Sequence, residues 1–394
     1  MGGVGVGGGR EGVGVGEEFD LIVVGAGPAG SAAALAARRA GARVLLLDRA
    51  DFPRDKACGD GIAAHALDVL AELGVTGAVA GYPPLPALRL IGPDGGAVAR
   101  ALPRPAYTVP RKVFDARLVA AAVAAGAQLR RHTVRRVELR DDRVVLDGEL
   151  SGRAVVGADG AGSVVRRALG RPVNPDRHLA LAIRGYAPAR PGPPEQLIVT
   201  SKPRWPAYAW SFPIGDGRAN VGYGEVLRGE PLSRAHLLDR LAVLLPGTDP
   251  ASVTGLRAHH LPLSTHRPPP GRGRVVLAGD ALSLINPFTG EGIFYALLSG
   301  ALAGAAAAAT PERAAVRYAA AMRRRLGTHL RHSSVTAWLA RRRWVVDAAV
   351  RAARRDDRVY ATVVELGLGD GRLDARTLAM IGIGLSASDR PPRR

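Results

Sequence analysis

The sequence predicts an α/β fold: a Rossmann-like domain with a parallel sheet, an antiparallel β-sheet inserted into it, and a helical C-terminal region. Three observations predict it. A βαβ pattern with a glycine-rich turn opens the chain, two later apolar strands end in Asp-Gly or Gly-Asp, and the stretch between those strands alternates in short segments.

Asp20 to Val24, DLIVV, is a short apolar run of the kind that forms a strand buried on both faces. It runs into GAGPAG and the Ala-rich SAAALAARRAGA, and RVLLLD follows as a second buried strand. Gly25 allows the tight strand-to-helix turn, Gly27 lets a pyrophosphate approach the backbone, and Gly30 lets helix and strand pack closely. The helix N-terminus around Ala29 then presents unpaired N–H groups and the positive end of a dipole to phosphates. Asp48, eighteen residues past Gly30 and followed by Arg49, is placed to bond ribose hydroxyls.

RRVELR and RVVLDG read as paired strands, and RAVVGADGAGS as another apolar strand, ending at Asp159 and Gly160. From about Asn174 to Leu263 the segments are short, alternating and rich in Pro and Gly, which predicts antiparallel sheet. GRVVLAGDA restores a buried strand that ends at Asp280, and PFTGEGIFYALLSGALAGAAAA begins a long helix through Gly290, Gly292 and Ile293. After Pro311 the chain reads as largely helical. The expected organisation is a flexible leader at 1–18 and a discontinuous dinucleotide domain at 19–80, 101–173 and 264–310. A β-sheet substrate domain occupies 81–100 and 174–263, and the helical region 311–394.

Composition narrows the function classes. A single cysteine, Cys58, excludes an internal disulfide framework and a Cys-rich metal site. The formal charge of +19 comes almost wholly from Arg, beside only Lys56, Lys112 and Lys202, in a chain rich in Ala, Gly and Pro. That pattern is a bias of the whole sequence, and no nucleic-acid partner is expected from it. The C-terminal third does concentrate Arg in AMRRRLGTHLRH, ARRRW and RAARRDDR, a basic face suited to anionic lipid headgroups or nucleic acid, or else a solvated Arg-rich surface. The expected location is therefore the cytoplasm, with peripheral attachment at the inner face of the cell membrane as its extension.

MGGVGVGGGREGVGVGEE lacks the contiguous apolar core of a signal peptide, and Val6 stands where myristoylation requires Ser or Thr. IFYALLSGALAGAAAAA is uncharged, but its Ala and Gly half predicts a buried helix packed on a sheet rather than a bilayer span. His259, His260 and His266 invite a metal reading, yet no clustered carboxylate or cysteine supports one. No Gly-x-Ser-x-Gly or Walker A loop is present to support a hydrolase or a kinase.

Asp159 and Asp280, each after a buried strand, suit a ligand stretched across the sheet, with Asp280 reaching a ribityl chain. Gly290 and Gly292 would let backbone amides approach a flavin ring. Each Asp alone is equally suited to capping a helix. In YAWSFPIGDGRANVGYG, alternation puts Tyr208, Trp210 and Phe212 on one strand face. They would form a flat apolar wall, or else the core face of the inserted sheet. The remaining question is DFPRDKACGDG, which sets the one cysteine in a loop of turn residues.

Taken together these stretches resemble the FAD-dependent oxidoreductases of the p-hydroxybenzoate hydroxylase fold, and within them the geranylgeranyl reductase family. The fold-level likeness spans Phe19 to Thr310. DRADFPRDKACGDG is similar to the family's loop in which a cysteine lies near the flavin. Tyr208, Trp210, Phe212 and Pro213, then Gly222 and Gly224, resemble its substrate-site signature Tyr-x-Trp-x-Phe-Pro followed by Gly-x-Gly. Arg111 matches the arginine that many relatives place beside the flavin. The resemblance implies FAD held by Gly25, Gly27, Ala29, Gly30, Asp48, Arg49, Cys58, Gly59, Arg111, Asp159, Gly160, Asp280, Gly290, Gly292 and Ile293.

The implied reaction is saturation of carbon–carbon double bonds in a polyprenyl chain carried on a diphosphate, a lipid or a quinone. It proceeds by flavin hydride transfer plus protonation. Cys58 would serve as proton donor or as a gate on flavin position, with a small buried hydrophobe as the alternative reading. Tyr208 and Trp210 would steady positive charge developing on carbon. The reductant would be NADPH or a reduced ferredoxin-like carrier, and the partner a hydrophobic prenyl substrate. The competing reading is a flavin-dependent monooxygenase or halogenase acting on an aromatic natural product. Halogenases of this fold usually carry Trp-x-Trp-x-Ile-Pro where this chain has YAWSFP.

Overall fold

The chain is described here by a computed structural model covering residues 18–386; most of the expected leader, and residues 387–394 of the helical region, lie outside the described residues. The apolar run at the start becomes the strand Glu18–Val24, in the middle of an eight-stranded sheet. Its order is Gly271–Arg272, Val275–Leu277, Leu150–Gly157, Glu18–Val24, Val44–Asp48, Gln128–Arg131, and the neighbours from Val275–Leu277 onward are parallel. Leu21, Ile22, Val23 and Leu45, Leu46, Leu47 are fully buried, as strands covered on both faces require. Val137–Leu139 and Val144–Leu146 form the expected antiparallel pair at the side of this sheet.

Small residues decide how tightly the sheet is covered. The helix Pro28–Arg39 follows the glycine turn, and the helix Ile293–Ala309 lies directly on its backbone. A Cβ on Gly300 would stand 2.0 Å from the Ala29 carbonyl oxygen, and one on Gly304 2.1 Å from that of Ala33. This contact is why the Ala and Gly half of that helix is buried. Gly304→Val must push two helix backbones apart. The expected cost is roughly 3 kcal/mol, the upper end for overpacking, read as a lower urea midpoint at unchanged slope.

The second sheet also has eight strands, in the order Thr254–Pro262, Leu179–Pro188, Arg218–Val226, Ala207–Pro213, Glu195–Thr200, Leu85–Ile91, Ala97–Thr108, Gly61–Ile62. Its pairings are antiparallel, except that Glu195–Thr200 runs parallel to Leu85–Ile91. Gly61–Ile62 follows Cys58 at once, so the cysteine loop is stitched to this sheet and faces the first. On sheet membership, we propose that the first segment of the substrate domain runs on to residue 108 instead of ending at 100. A helix that the alternation pattern did not announce, Arg234–Leu244, buries Leu237 and Leu241 against the outer face.

Four helices follow: Ala314–Leu339, Arg343–Arg355, Asp357–Leu368 and Ala375–Ser386. The second and third cover the inner face of the second sheet, with Val350, Ala353, Val359 and Val364 packed near Leu88, Val98 and Ile198. The Tyr360 hydroxyl lies 3.1 Å from the carbonyl oxygens of both Leu88 and Arg100, which pins the third helix to two adjacent strands. Among the described residues no helix is long and apolar enough to cross a membrane.

Candidate active site

Between the two sheets runs one cavity of about 1410 Å³. It begins at the glycine turn, passes the Cys58 loop and the aromatic strand, and continues between the second sheet and the C-terminal helices. Such a volume exceeds an ordinary small-ligand site and can hold two molecules end to end.

The glycine turn fits a pyrophosphate for three separate reasons. Gly25 has φ +96°, and a Cβ there would lie 2.4 Å from the Ala158 carbonyl oxygen. A Cβ on Gly30 would lie 1.7 Å from the Gly25 oxygen, so only glycine lets the helix start this close to the strand. At Gly27 the nearest atom to such a Cβ is Arg54 Nη2, at 3.5 Å, so this backbone faces open space. No side chain caps the helix Pro28–Arg39, which leaves its first N–H groups for an anion.

Asp48 binds the turn from below, since its Oδ2 accepts from the Ala26 amide at 2.9 Å and its Oδ1 from that of Ala50 at 3.0 Å. Two guanidiniums face Gly27 from across the cavity. Arg111 is buried and doubly bonded to Asp115 at 2.6 and 2.8 Å, and Arg54 reaches the same carboxylate at 3.1 Å. Arg54 and Asp115 are not marked by any sequence motif, because only the fold brings their loop and helix together. Arg49 lines the cavity at an exposed position.

The two later carboxylates divide between the roles that sequence left open. Asp159 is a cap: Ser163 Oγ donates to Oδ1 at 2.5 Å, and the amides of Val164 and Val165 donate to Oδ2 at 2.6 and 3.3 Å. Burial holds its carboxyl above the usual range. Asp159 thus shapes the turn at Gly160, which carries φ +78° and lines the cavity. Asp280 is the charged one. Burial works against its ionisation, but the Lys56 ammonium, 3.1 Å away, is the foremost charge that holds it below the usual carboxylate range. His259 itself stays neutral, its buried ring lowered to about 4. Lys56, which sequence alone presents as a loop charge, is therefore Asp280's partner across the whole domain. Gly290 (φ +68°), Gly292 and Ile293 line the cavity beside this pair.

The register of one hairpin explains the aromatic signature. Ala207–Pro213 pairs with Arg218–Val226 so that Tyr208 faces Gly224, Trp210 faces Gly222 and Phe212 faces Asn220. A Cβ on Gly222 would lie 2.1 Å from the Trp210 ring, so the indole lies flat across its neighbour. Gly222 is not among the residues lining the cavity and seats Trp210, whereas Gly224 lines it. The third register position, Asn220, was missed, although the same alternation marks it.

Asn220 ties the wall to the cysteine loop. Its Oδ1 accepts from Trp210 Nε1 at 2.8 Å, and its Nδ2 donates to the Cys58 carbonyl at 2.9 Å and to Asp60 Oδ2 at 2.8 Å. Tyr186 donates to the same Asp60 oxygen at 2.7 Å. Gly59, before Asp60, lets the loop lie close on the Trp210 ring, while Gly61 makes ordinary contact with Phe212. A Cβ on Gly59 would sit 3.3 Å from Trp210 Nε1, and one on Gly61 3.5 Å from the Phe212 ring. This answers why the lone cysteine lies among turn residues: the loop must press flat against the wall. At the other end Tyr208 donates to the Thr289 carbonyl at 2.5 Å, joining the wall to the turn at Gly290.

Burial pushes the Cys58 thiol up, against the pull of Arg111, so it stays protonated at neutral pH. Burial also raises the Asp60 carboxyl from 3.8 to about 6. A carboxyl raised in the folded state binds its proton more tightly there. Its favourable contribution is full at low pH and is lost as pH rises from 3.8 to about 6. Each tenfold gain in proton affinity is worth about 1.4 kcal/mol. Stability measured relative to Asp60→Asn should therefore fall by about 3 kcal/mol between about pH 4 and 7. Urea midpoints of both proteins across that range check it.

Comparison with known proteins accords with this geometry. Residues 18–183 match the family model described as an FAD binding domain. The chain is 36% identical over 313 residues to a menaquinone reductase of Mycolicibacterium smegmatis, covering 72% of this chain and 75% of that one. It is 36% identical over 320 residues to a digeranylgeranylglycerophospholipid reductase of Methanopyrus kandleri, covering 73% and 80%. A crystal structure of a geranylgeranyl bacteriochlorophyll reductase-like protein of Thermoplasma acidophilum superposes with TM-score 0.72 at 22% identity, covering 94% of this chain and 96% of that one. With the glycine cradle, the cysteine loop and the aromatic hairpin all in place, the chain belongs to the geranylgeranyl reductase family of FAD-dependent oxidoreductases.

Proposed function

We propose that this protein saturates carbon–carbon double bonds of a polyprenyl chain, carried on a diphosphate, a lipid or a quinone. The observation that carries this reading is the cavity. Beyond Tyr208 it is lined by Leu88, Ile198, Val346, Val350 and Val364, an apolar path sized for a chain rather than for a compact aromatic ring. The two named relatives act on molecules that both bear such chains, which supports the same substrate class.

FAD bound in its reduced form supplies the hydride. The protein's own residues handle binding, charge and the proton. The first-turn N–H groups with Arg54 and Arg111 would hold the pyrophosphate, and Lys56 with Asp280 would meet the ribityl chain. An isolated alkene offers no carbonyl to polarise, so the proton must come from a positioned acid. Cys58 is that acid in this account, because burial keeps its thiol protonated and the Arg111 guanidinium is there to steady the thiolate that remains. Ring faces of Tyr208 and Trp210 meet the positive charge that develops on the tertiary carbon, and the closed wall excludes water that would capture it.

The reductant in this account is NADPH or a reduced ferredoxin-like carrier. The protein acts at the inner face of the membrane, where its substrates partition. Purified protein with either reductant and geranylgeranyl diphosphate, kept anaerobic, should yield product heavier by two hydrogens per bond; with a menaquinone the added hydrogens should lie in the prenyl side chain after the ring is reoxidised. Product that instead requires and consumes oxygen would reassign the chain to the monooxygenases.

A further inference from the structure

The apolar cavity has a mouth, rimmed by exposed aromatic rings and arginines. Where the helix Ala314–Leu339 turns into Arg343–Arg355, the lining residues include Trp338, Arg341 and Arg228, all exposed. Trp338 is 55% exposed and Trp344 47%, two large aromatic rings standing in water. Between them lie Arg341, Arg342 and Arg343, and among the described residues none of the three is ion-paired to a carboxylate. Two arginines elsewhere in the helical region do have such partners, Arg325 with Asp370 and Arg376 with Asp356, so what marks this corner is its arginines standing together with the two rings at the cavity mouth. The Arg342 guanidinium lies 5.4 Å over the Trp338 ring. The nearby Asp94 is held by Lys202 at 2.8 Å.

The corner is also fixed in place. Trp205 Nε1 donates to the Ala340 carbonyl at 2.5 Å, and Arg228 donates to the Trp205 carbonyl at 2.5 Å. The helix turn is thereby tied to the strand end that leads into the aromatic wall.

We propose that this corner is the membrane-docking edge, seated on a bilayer with anionic headgroups, so that a prenyl chain passes from lipid into the cavity without crossing water. The proposal rests on the prenyl-reductase reading. Indole rings favour the headgroup level of a bilayer, and each unpaired Arg near an anionic surface strengthens binding roughly fivefold. Arg341, Arg342 and Arg343 together carry more positive charge than Asp94, the acid near Arg343 and already held by Lys202, can offset, and so complement an anionic surface. Their position at an apolar mouth favours lipid over nucleic acid, whose phosphates offer nothing for the two rings.

The test is flotation of the flavin-loaded protein with vesicles of phosphatidylcholine alone or with one-third phosphatidylglycerol. A variant with Arg342→Gln, Arg343→Gln and Trp344→Ala changes residues outside the cavity lining. Wild type should float with the anionic vesicles, and the variant's partition should fall roughly thirtyfold or more. The variant's flavin content and turnover of a detergent-dispersed prenyl substrate should be unchanged. Equal flotation with both vesicle types, or a variant that floats like wild type, overturns the proposal. So does salt-sensitive binding to duplex DNA lost in the same variant while flotation persists. If neither protein reduces any prenyl compound, the reductase reading fails, while flotation still decides the docking edge on its own.

Discussion

Gly27→Val should purify as a folded but colourless protein. Gly27 has φ −73°, ordinary for any residue, and its Cβ position meets nothing closer than Arg54 Nη2 at 3.5 Å. Folding therefore tolerates the substitution. The valine side chain nevertheless fills the space through which a pyrophosphate reaches the first-turn N–H groups. Losing two charge-assisted hydrogen bonds at about 1.5–3 kcal/mol each weakens FAD binding by roughly 10²–10⁴-fold, at 1.4 kcal/mol per tenfold. Gly30→Val is the contrasting control. Its Cβ would overlap the Gly25 oxygen, so it should lose the fold itself along with the flavin. Flavin absorbance per protein, with the far-ultraviolet spectrum beside it, separates the two. A yellow Gly27→Val protein would remove the cradle from the account.

Cys58→Ala is the second large effect. With a neutral thiol as the acid, its loss should slow alkene reduction in a single turnover by about 10²–10⁴-fold. The change removes one small, partly buried group, so flavin content and thermal stability should stay within ordinary limits. Cys58→Ser, which keeps a weaker proton donor, should fall between. The pH profile adds an independent readout. Because burial raises the thiol, the wild-type rate should fall only at a higher pH than an ordinary cysteine's deprotonation would set. Full activity in Cys58→Ala would reduce the cysteine to a packing residue.

Much of this architecture was legible because it rests on local pattern. The glycine turn needs three glycines at set spacing, and DLIVV and RVLLLD read as strands buried on both faces. The hairpin of Tyr208, Trp210 and Phe212 was legible by alternation, and its trailing glycines now have a reason in the cross-strand register. What was not legible depends on partners far apart in the chain. Lys56 meets Asp280, and Asn220 meets Cys58, across separations no periodicity encodes. Asp159 and Asp280 look alike in sequence, each after an apolar strand. Only the neighbours decide that one caps a helix while the other carries charge. The helix Arg234–Leu244 was hidden within a stretch whose Pro and Gly punctuation speaks for strands.

The most direct measurement is an anaerobic mixing experiment on the flavin itself. The protein is reduced, freed of oxygen, and mixed with geranylgeranyl diphosphate, which has no quinone ring to take the electrons, while the flavin absorbance is followed. The absorbance of oxidised flavin should return with the prenyl compound alone, at a rate that falls in Cys58→Ala, and the product should gain two hydrogens per flavin reoxidised. Reduced flavin that ignores every prenyl acceptor and reoxidises only when oxygen and an aromatic substrate are admitted would contradict it.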